Sequence, residues 1–162
     1  MPSILFVCTA NQFRSPLCAA FFEKVLTEKG IREKWTVDSA GTWVARRTGA
    51  HPAALRVGKR LGVDLSQHRA KEINGLLIKE ADLVVVMTES QKEALHCEFA
   101  EQKRKIVMLS ELSGSDKADI PDPVTSDAGD MEIFVQELAR MIETASAEII
   151  QQAGRHHASN IG

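Results

Sequence analysis

The chain has 162 residues, 44% of them hydrophobic and 26% charged, with a formal net charge of −2; this is ordinary globular composition, sufficient for one domain around one core. The near-neutral balance excludes a protein that works by coating nucleic acid, so any anion site has to be local. Three cysteines with no Cys-x-x-Cys pair indicate neither a disulfide framework nor a metal centre, and the apolar run behind Met1 is too short for a secretory signal or a membrane span, which makes a cytoplasmic protein the expectation.

Ile4-Leu5-Phe6-Val7 reads as a buried parallel strand that ends at Cys8. Pro16, followed by Leu17, Ala20, Phe21, Val25 and Leu26 at helical spacing, predicts a helix that stops near Gly30. The residues between must form a tight loop. A thiol at Cys8 and a guanidinium at Arg14, six positions apart on a strand-loop-helix junction, can face one anion while the backbone N–H groups of Thr9 to Arg14 curl round it. Asn11 suits the middle of such a loop, because Asn tolerates positive φ and its amide can tie the loop together.

Further along, Trp35 to Ala40 reads as a second strand and Gly41 to Pro52 as a loop carrying Trp43, Arg46 and Arg47. Ala54, Leu55, Val57 and Leu61 suggest a helix that ends near Gly62. Leu83-Val84-Val85-Val86-Met87 is the strongest strand in the sequence, continuous and β-branched as a central parallel strand is. Thr88 to Ala100 follows as a helix, Ile106 to Leu109 as a shorter strand, and Ser113 to Asp130 as a loop. Phe134, Leu138, Met141, Ala145 and Ile149 form the apolar stripe of a last helix. From Gly154 on, the periodicity fades, so residues 1–153 are expected to be the folded domain and 154–162 a flexible tail. Strands alternating with helices predict an α/β single domain with a four-stranded parallel twisted sheet and helices on both faces.

The run Val7-Cys8-Thr9-Ala10-Asn11-Gln12-Phe13-Arg14-Ser15-Pro16 resembles the active-site loop of the low-molecular-weight protein tyrosine phosphatases. Asp38-Ser39-Ala40-Gly41-Thr42-Trp43, Gln67-His68-Arg69-Ala70, Ala81-Asp82-Leu83 to Met87-Thr88, and Asp122-Pro123 match the same family in order. The resemblance implies a phosphatase that hydrolyses phosphomonoesters, with phosphotyrosine in proteins as the expected substrate, in two steps through a phosphocysteine. Cys8, Arg14 and Asp122 are then the catalytic residues, and Thr9, Ala10, Asn11, Gln12, Phe13, Arg14 and Ser15 bind the phosphate. Asn11, Ser15, Ser39 and His68 support the loop, and Trp43 and Val124 wall the pocket.

The chemistry of these residue types agrees. The loop N–H groups, the helix N-terminus and Arg14 all favour the thiolate over the thiol. The guanidinium fork suits two phosphoryl oxygens, and a carboxylic acid at Asp122 protonates the leaving oxygen and later activates water. No metal and no cofactor are required. The expected partners are a phosphorylated protein or a small phosphate ester, with no nucleic acid or membrane, and a monomer is presumed.

Three positions depart from the family pattern. Ala10 replaces a glycine, which strains the loop if that position needs positive φ. Phe13 replaces a second cysteine, removing a disulfide partner for Cys8, and Cys18 on the following helix reads as a packed small residue. Val124-Thr125 stands where aromatics flank the substrate ring, and the chain has no tyrosine. Two alternatives stay open at this point. One is a thiol-linked arsenate reductase, disfavoured because Cys97 has no cysteine partner near it; the other is a non-catalytic phosphate-binding module.

Overall fold

The computed structural model describes residues 1–114, 116, 118–123 and 127–162. Four strands, β1 (Ser3–Cys8), β2 (Thr36–Gly41), β3 (Leu83–Val86) and β4 (Ile106–Met108), form one sheet in the order β2-β1-β3-β4, all pairs parallel. The strands lie within a residue or two of the expected positions. Val7 pairs with Ala40 on one side and Val86 on the other, which makes β1 an interior strand with both edges satisfied.

The pleat of the sheet divides its side chains between two cores. Ile4, Phe6 and Cys8 of β1, with Leu83 and Val85 of β3, face a core built with α1 (Arg14–Glu28), α2 (Pro52–Arg60) and α6 (Ala128–Asn160). Leu5, Val7, Val84 and Val86 face a smaller core with α3 (Gly75–Glu80) and α4 (Glu89–Glu98). Because successive side chains on a strand alternate in direction, an uninterrupted apolar run is what a strand covered on both faces requires. Edge-to-face aromatic pairs, Phe6 on Phe22 and Phe22 on Trp35, lock α1 to the sheet.

Two short helices lie outside the sequence expectations. These are α3 and α5 (Leu109–Leu112), six and four residues long and so without the turns that make a helical period visible. Asn74 fixes the start of α3, its side chain accepting the Leu77 N–H at 2.9 Å. Among the described residues no helix is long and apolar enough to cross a membrane.

The flexible tail expected from Gly154 is corrected: α6 continues to Asn160. Ala153 is fully buried. Beyond it, His157 Nδ1 lies 3.0 Å from Asp82 Oδ2, and Asn160 Nδ2 donates to Asp82 Oδ1 at 3.2 Å. Asp82 is 4% exposed and also accepts the Ser3 N–H, so polar partners hold the last turns to the start of β1. Hydrophobic spacing cannot reveal an anchor of that kind.

Candidate active site

Strands β1 and β3 end side by side where the chain order of the sheet reverses, the crevice in which open α/β sheets take ligands. The Cys8 carbonyl accepts the Thr42 N–H at 2.9 Å and the Thr9 carbonyl accepts the Trp43 N–H at 3.0 Å, which fixes where β1 turns out of the sheet. This approach is close. A Cβ added at Gly41 would stand 2.4 Å from the Thr9 carbonyl oxygen, so only glycine fits beside the loop.

From Cys8 the backbone turns through residues 9–13 into α1. Asn11 sits at its midpoint with φ of 56°, and it is the one non-glycine residue with positive φ among the described residues. Ala10 is therefore not in the left-handed region, and the strain expected there does not arise. The main-chain N–H groups of Ala10 to Phe13 donate to no described protein group. Unpaired amides at a helix N-terminus are the arrangement that accepts an anion.

Asn11 is fully buried and organises the loop from within. Its Nδ2 donates to Ser15 Oγ at 2.8 Å and to Ser39 Oγ at 3.0 Å, and its Oδ1 accepts the Lys71 N–H at 3.0 Å. His68 Nε2 lies 2.7 Å from the Asn11 carbonyl; a carbonyl only accepts, so the imidazole carries its proton on Nε2 at this contact. Ser39 and His68 thus meet Asn11 as the resemblance implied. The Lys71 contact was missed, since a main-chain donor leaves no mark on the sequence.

Ser15 Oγ lies 3.0 Å from Cys8 Sγ. With Asn11 donating to that oxygen, its single proton goes to the sulfur or to the Ala40 carbonyl, which is farther away at 3.4 Å. Ser15 is not the helix cap; Phe13 occupies the N-cap position and no side chain caps there. Gln91, also unforeseen, accepts the N–H groups of Met87 and Thr88 and donates to Thr9 Oγ1 at 3.1 Å, joining the end of β3 to the loop.

Arg14 is 4% exposed. Its NH1 donates to the Ile120 carbonyl at 2.9 Å, and its NH2 is 3.9 Å from Asp122 Oδ2. Ile120 is held in turn by its N–H to the Met87 carbonyl at 2.9 Å. One guanidinium therefore joins the cysteine loop to the segment carrying Asp122, whose side chain is about half exposed.

Cys8, Ala10, Gln12, Phe13, Arg14, His51 and Asp122 line one small cleft. His51 is the member the sequence did not suggest. Larger clefts, between α1 and β2 and at the far end of the sheet, do not include the Cys8 thiol. Trp43 is not among the residues that line this cleft; it is 68% exposed and so not a core anchor, and its main-chain N–H is bonded to the Thr9 carbonyl beside the loop. Val124 lies outside the described residues.

Cys18 is fully buried as expected, and burial pushes its thiol up, with a negative charge on Cys8 acting in the same direction. Cys97 is exposed. The arrangement therefore offers one thiol beside unpaired amides, a buried guanidinium and a carboxyl group, which together can hold a tetrahedral dianion and transfer its phosphorus.

The model of the family described as low molecular weight phosphotyrosine protein phosphatase matches residues 3–159. The low molecular weight protein-tyrosine-phosphatase Ptp of Acinetobacter johnsonii is 30% identical over 146 residues, 90% of this chain and 94% of that protein. A low molecular weight protein tyrosine phosphatase from T. tengcongensis superposes with a TM-score of 0.83 at 31% identity, covering 91% of this chain and 99% of that one. The YwlE arginine phosphatase from Geobacillus stearothermophilus gives 0.82 at 29% identity, covering 97% and 98%.

Proposed function

Since the chain belongs to the low molecular weight phosphotyrosine protein phosphatase family, whose members are cysteine-dependent phosphatases, we propose that it removes phosphoryl groups from phosphotyrosine in proteins through a phosphocysteine at Cys8. The observation that carries this reading is the position of Cys8 beside Ser15, in a cleft shared with Arg14 and Asp122. Sulfur attacks phosphorus in line and the bond to the leaving oxygen breaks. The amides of Thr9 to Ser15 and the Arg14 fork hold the equatorial oxygens as charge redistributes.

Asp122 protonates the departing oxygen. The same carboxylate then takes a proton from water as that water attacks the phosphocysteine, releasing phosphate and returning the thiolate. Ser15 donates to the sulfur when it leaves, and Asn11, Ser39 and His68 keep the loop in its anion-binding shape. No step needs a metal or cofactor. The reaction suits a cytoplasmic monomer.

A second reading, hydrolysis of phosphoarginine, is favoured by the likeness to an arginine phosphatase. Profiling Cys8→Ser and wild type against phosphotyrosine, phosphoarginine and phosphoserine peptides tests both. Preferential turnover of phosphotyrosine supports the first reading, whereas turnover of phosphoarginine alone replaces it with the second.

A further inference from the structure

The proposed reaction needs a surface for the side chain beyond phosphorus, yet Trp43 is not among the residues that line the cleft and the chain has no tyrosine. His51 occupies that place. Its main-chain N–H donates to the Gln12 carbonyl at 2.8 Å, tying it to the tip of the phosphate loop. Its Nδ1 accepts the Ala53 N–H at 3.1 Å and so caps α2. Its ring rests on Phe13 with centroids 5.5 Å apart, and Phe13 is backed by Phe134 at 5.9 Å.

The Nδ1 cap and the Phe13 contact hold the imidazole in one orientation, half-buried and lining the cleft with Cys8, Arg14 and Asp122. Because Nδ1 accepts, the neutral ring carries its proton on Nε2, which has no partner among the described residues. Capping alone does not call for histidine. Serine, aspartate or asparagine supplies a cap with less side chain to order, so the ring itself requires an explanation, and the cleft provides one.

We propose that His51 is a specificity-determining residue: its ring packs against a planar, π-conjugated group bearing the phosphoryl, and favours such substrates over phosphate on a small non-aromatic group. This rests on the reading of Cys8 as the nucleophile, and it is independent of whether the planar group is a phenol or a guanidinium.

The test compares wild type, His51→Asn and His51→Phe on p-nitrophenyl phosphate and on β-glycerophosphate, with inorganic phosphate as competitive inhibitor. Asparagine can keep the cap and loses the ring; phenylalanine keeps a flat ring and loses the cap. The expected result for His51→Asn is a fall of about 3- to 10-fold in kcat/KM for the aryl substrate, carried mainly by KM. Turnover of β-glycerophosphate and inhibition by phosphate should stay within about twofold, and His51→Phe should recover most of the aryl preference.

Parallel losses on both substrates, no loss on either, or a His51→Phe enzyme no better than His51→Asn would overturn the assignment. Cys8→Ser is assayed alongside. Wild-type turnover that survives in Cys8→Ser removes the proposed function and the role of His51 with it; turnover that depends on Cys8 but ignores His51 removes the latter alone.

Discussion

The guanidinium of Arg14 donates to the main-chain oxygen of Ile120 at 2.9 Å, a contact between the first helix and a loop more than a hundred residues later. The loop that follows Cys8 and the segment that carries Asp122 are thus joined by one side chain, with Asp122 Oδ2 3.9 Å from the same group. A cation in this position holds Asp122 beside the cleft, and in the proposed reaction its remaining N–H groups are the ones left for the phosphoryl oxygens.

Arg14→Lys keeps the charge and loses both the fork and the reach to Ile120. Steady-state kinetics should show kcat lower by about 10²-fold or more with a native circular dichroism spectrum. Turnover near wild type would remove Arg14 from the mechanism.

Asp122→Asn cannot protonate a leaving oxygen. Its kcat/KM should fall by about 10²-fold or more on phenyl phosphate, and by much less on p-nitrophenyl phosphate, whose leaving group departs without a proton. Equal losses on the two substrates would assign Asp122 to the structure of the loop instead.

Asn11→Ala should destabilise the fold by about 2–4 kcal/mol in urea unfolding, because it strands Ser39, Ser15 and the Lys71 N–H and leaves at φ of 56° a residue that tolerates the left-handed region less well than asparagine. Asn11→Gly relieves the backbone and not the hydrogen bonds, so it should recover only about 1 kcal/mol of that loss. A full recovery would mean that backbone strain, not the buried amide, is what this position controls.

The buried Cys18 thiol sets an alkaline limit on stability. Burial raises it in the folded state, so the native protein keeps a proton that the unfolded chain releases above about pH 8.5. Its stabilising contribution is complete below that pH and declines as pH rises further. Cys18→Ala should therefore flatten the alkaline limb of a stability-versus-pH curve measured by denaturant unfolding, and an unchanged slope would place the limb elsewhere.

Much of this was legible in the order of the residues. The uninterrupted runs Ile4 to Val7 and Leu83 to Met87 mark strands covered on both faces, and Cys8, Arg14 and Pro16 mark the turn into a helix. What remained hidden depends on the third dimension. Gln91 and the Lys71 N–H reach the loop from distant elements; His51 enters the cleft only because α2 begins beside Gln12; and the end of α6 is held by the buried Asp82, a polar anchor with no period to detect. Trp43, an aromatic residue in a matching loop position, suggested a wall, and its exposure on the surface rules out only a place in the core.

The central claim is that sulfur at Cys8 takes the phosphoryl group. Rapid acid quench of wild type mixed with p-nitrophenyl phosphate, followed by peptide mass spectrometry, should find phosphate on the peptide containing Cys8, together with a stoichiometric burst of p-nitrophenol. A burst-free time course with the phosphoryl group on another residue, or full turnover by Cys8→Ser, would contradict it.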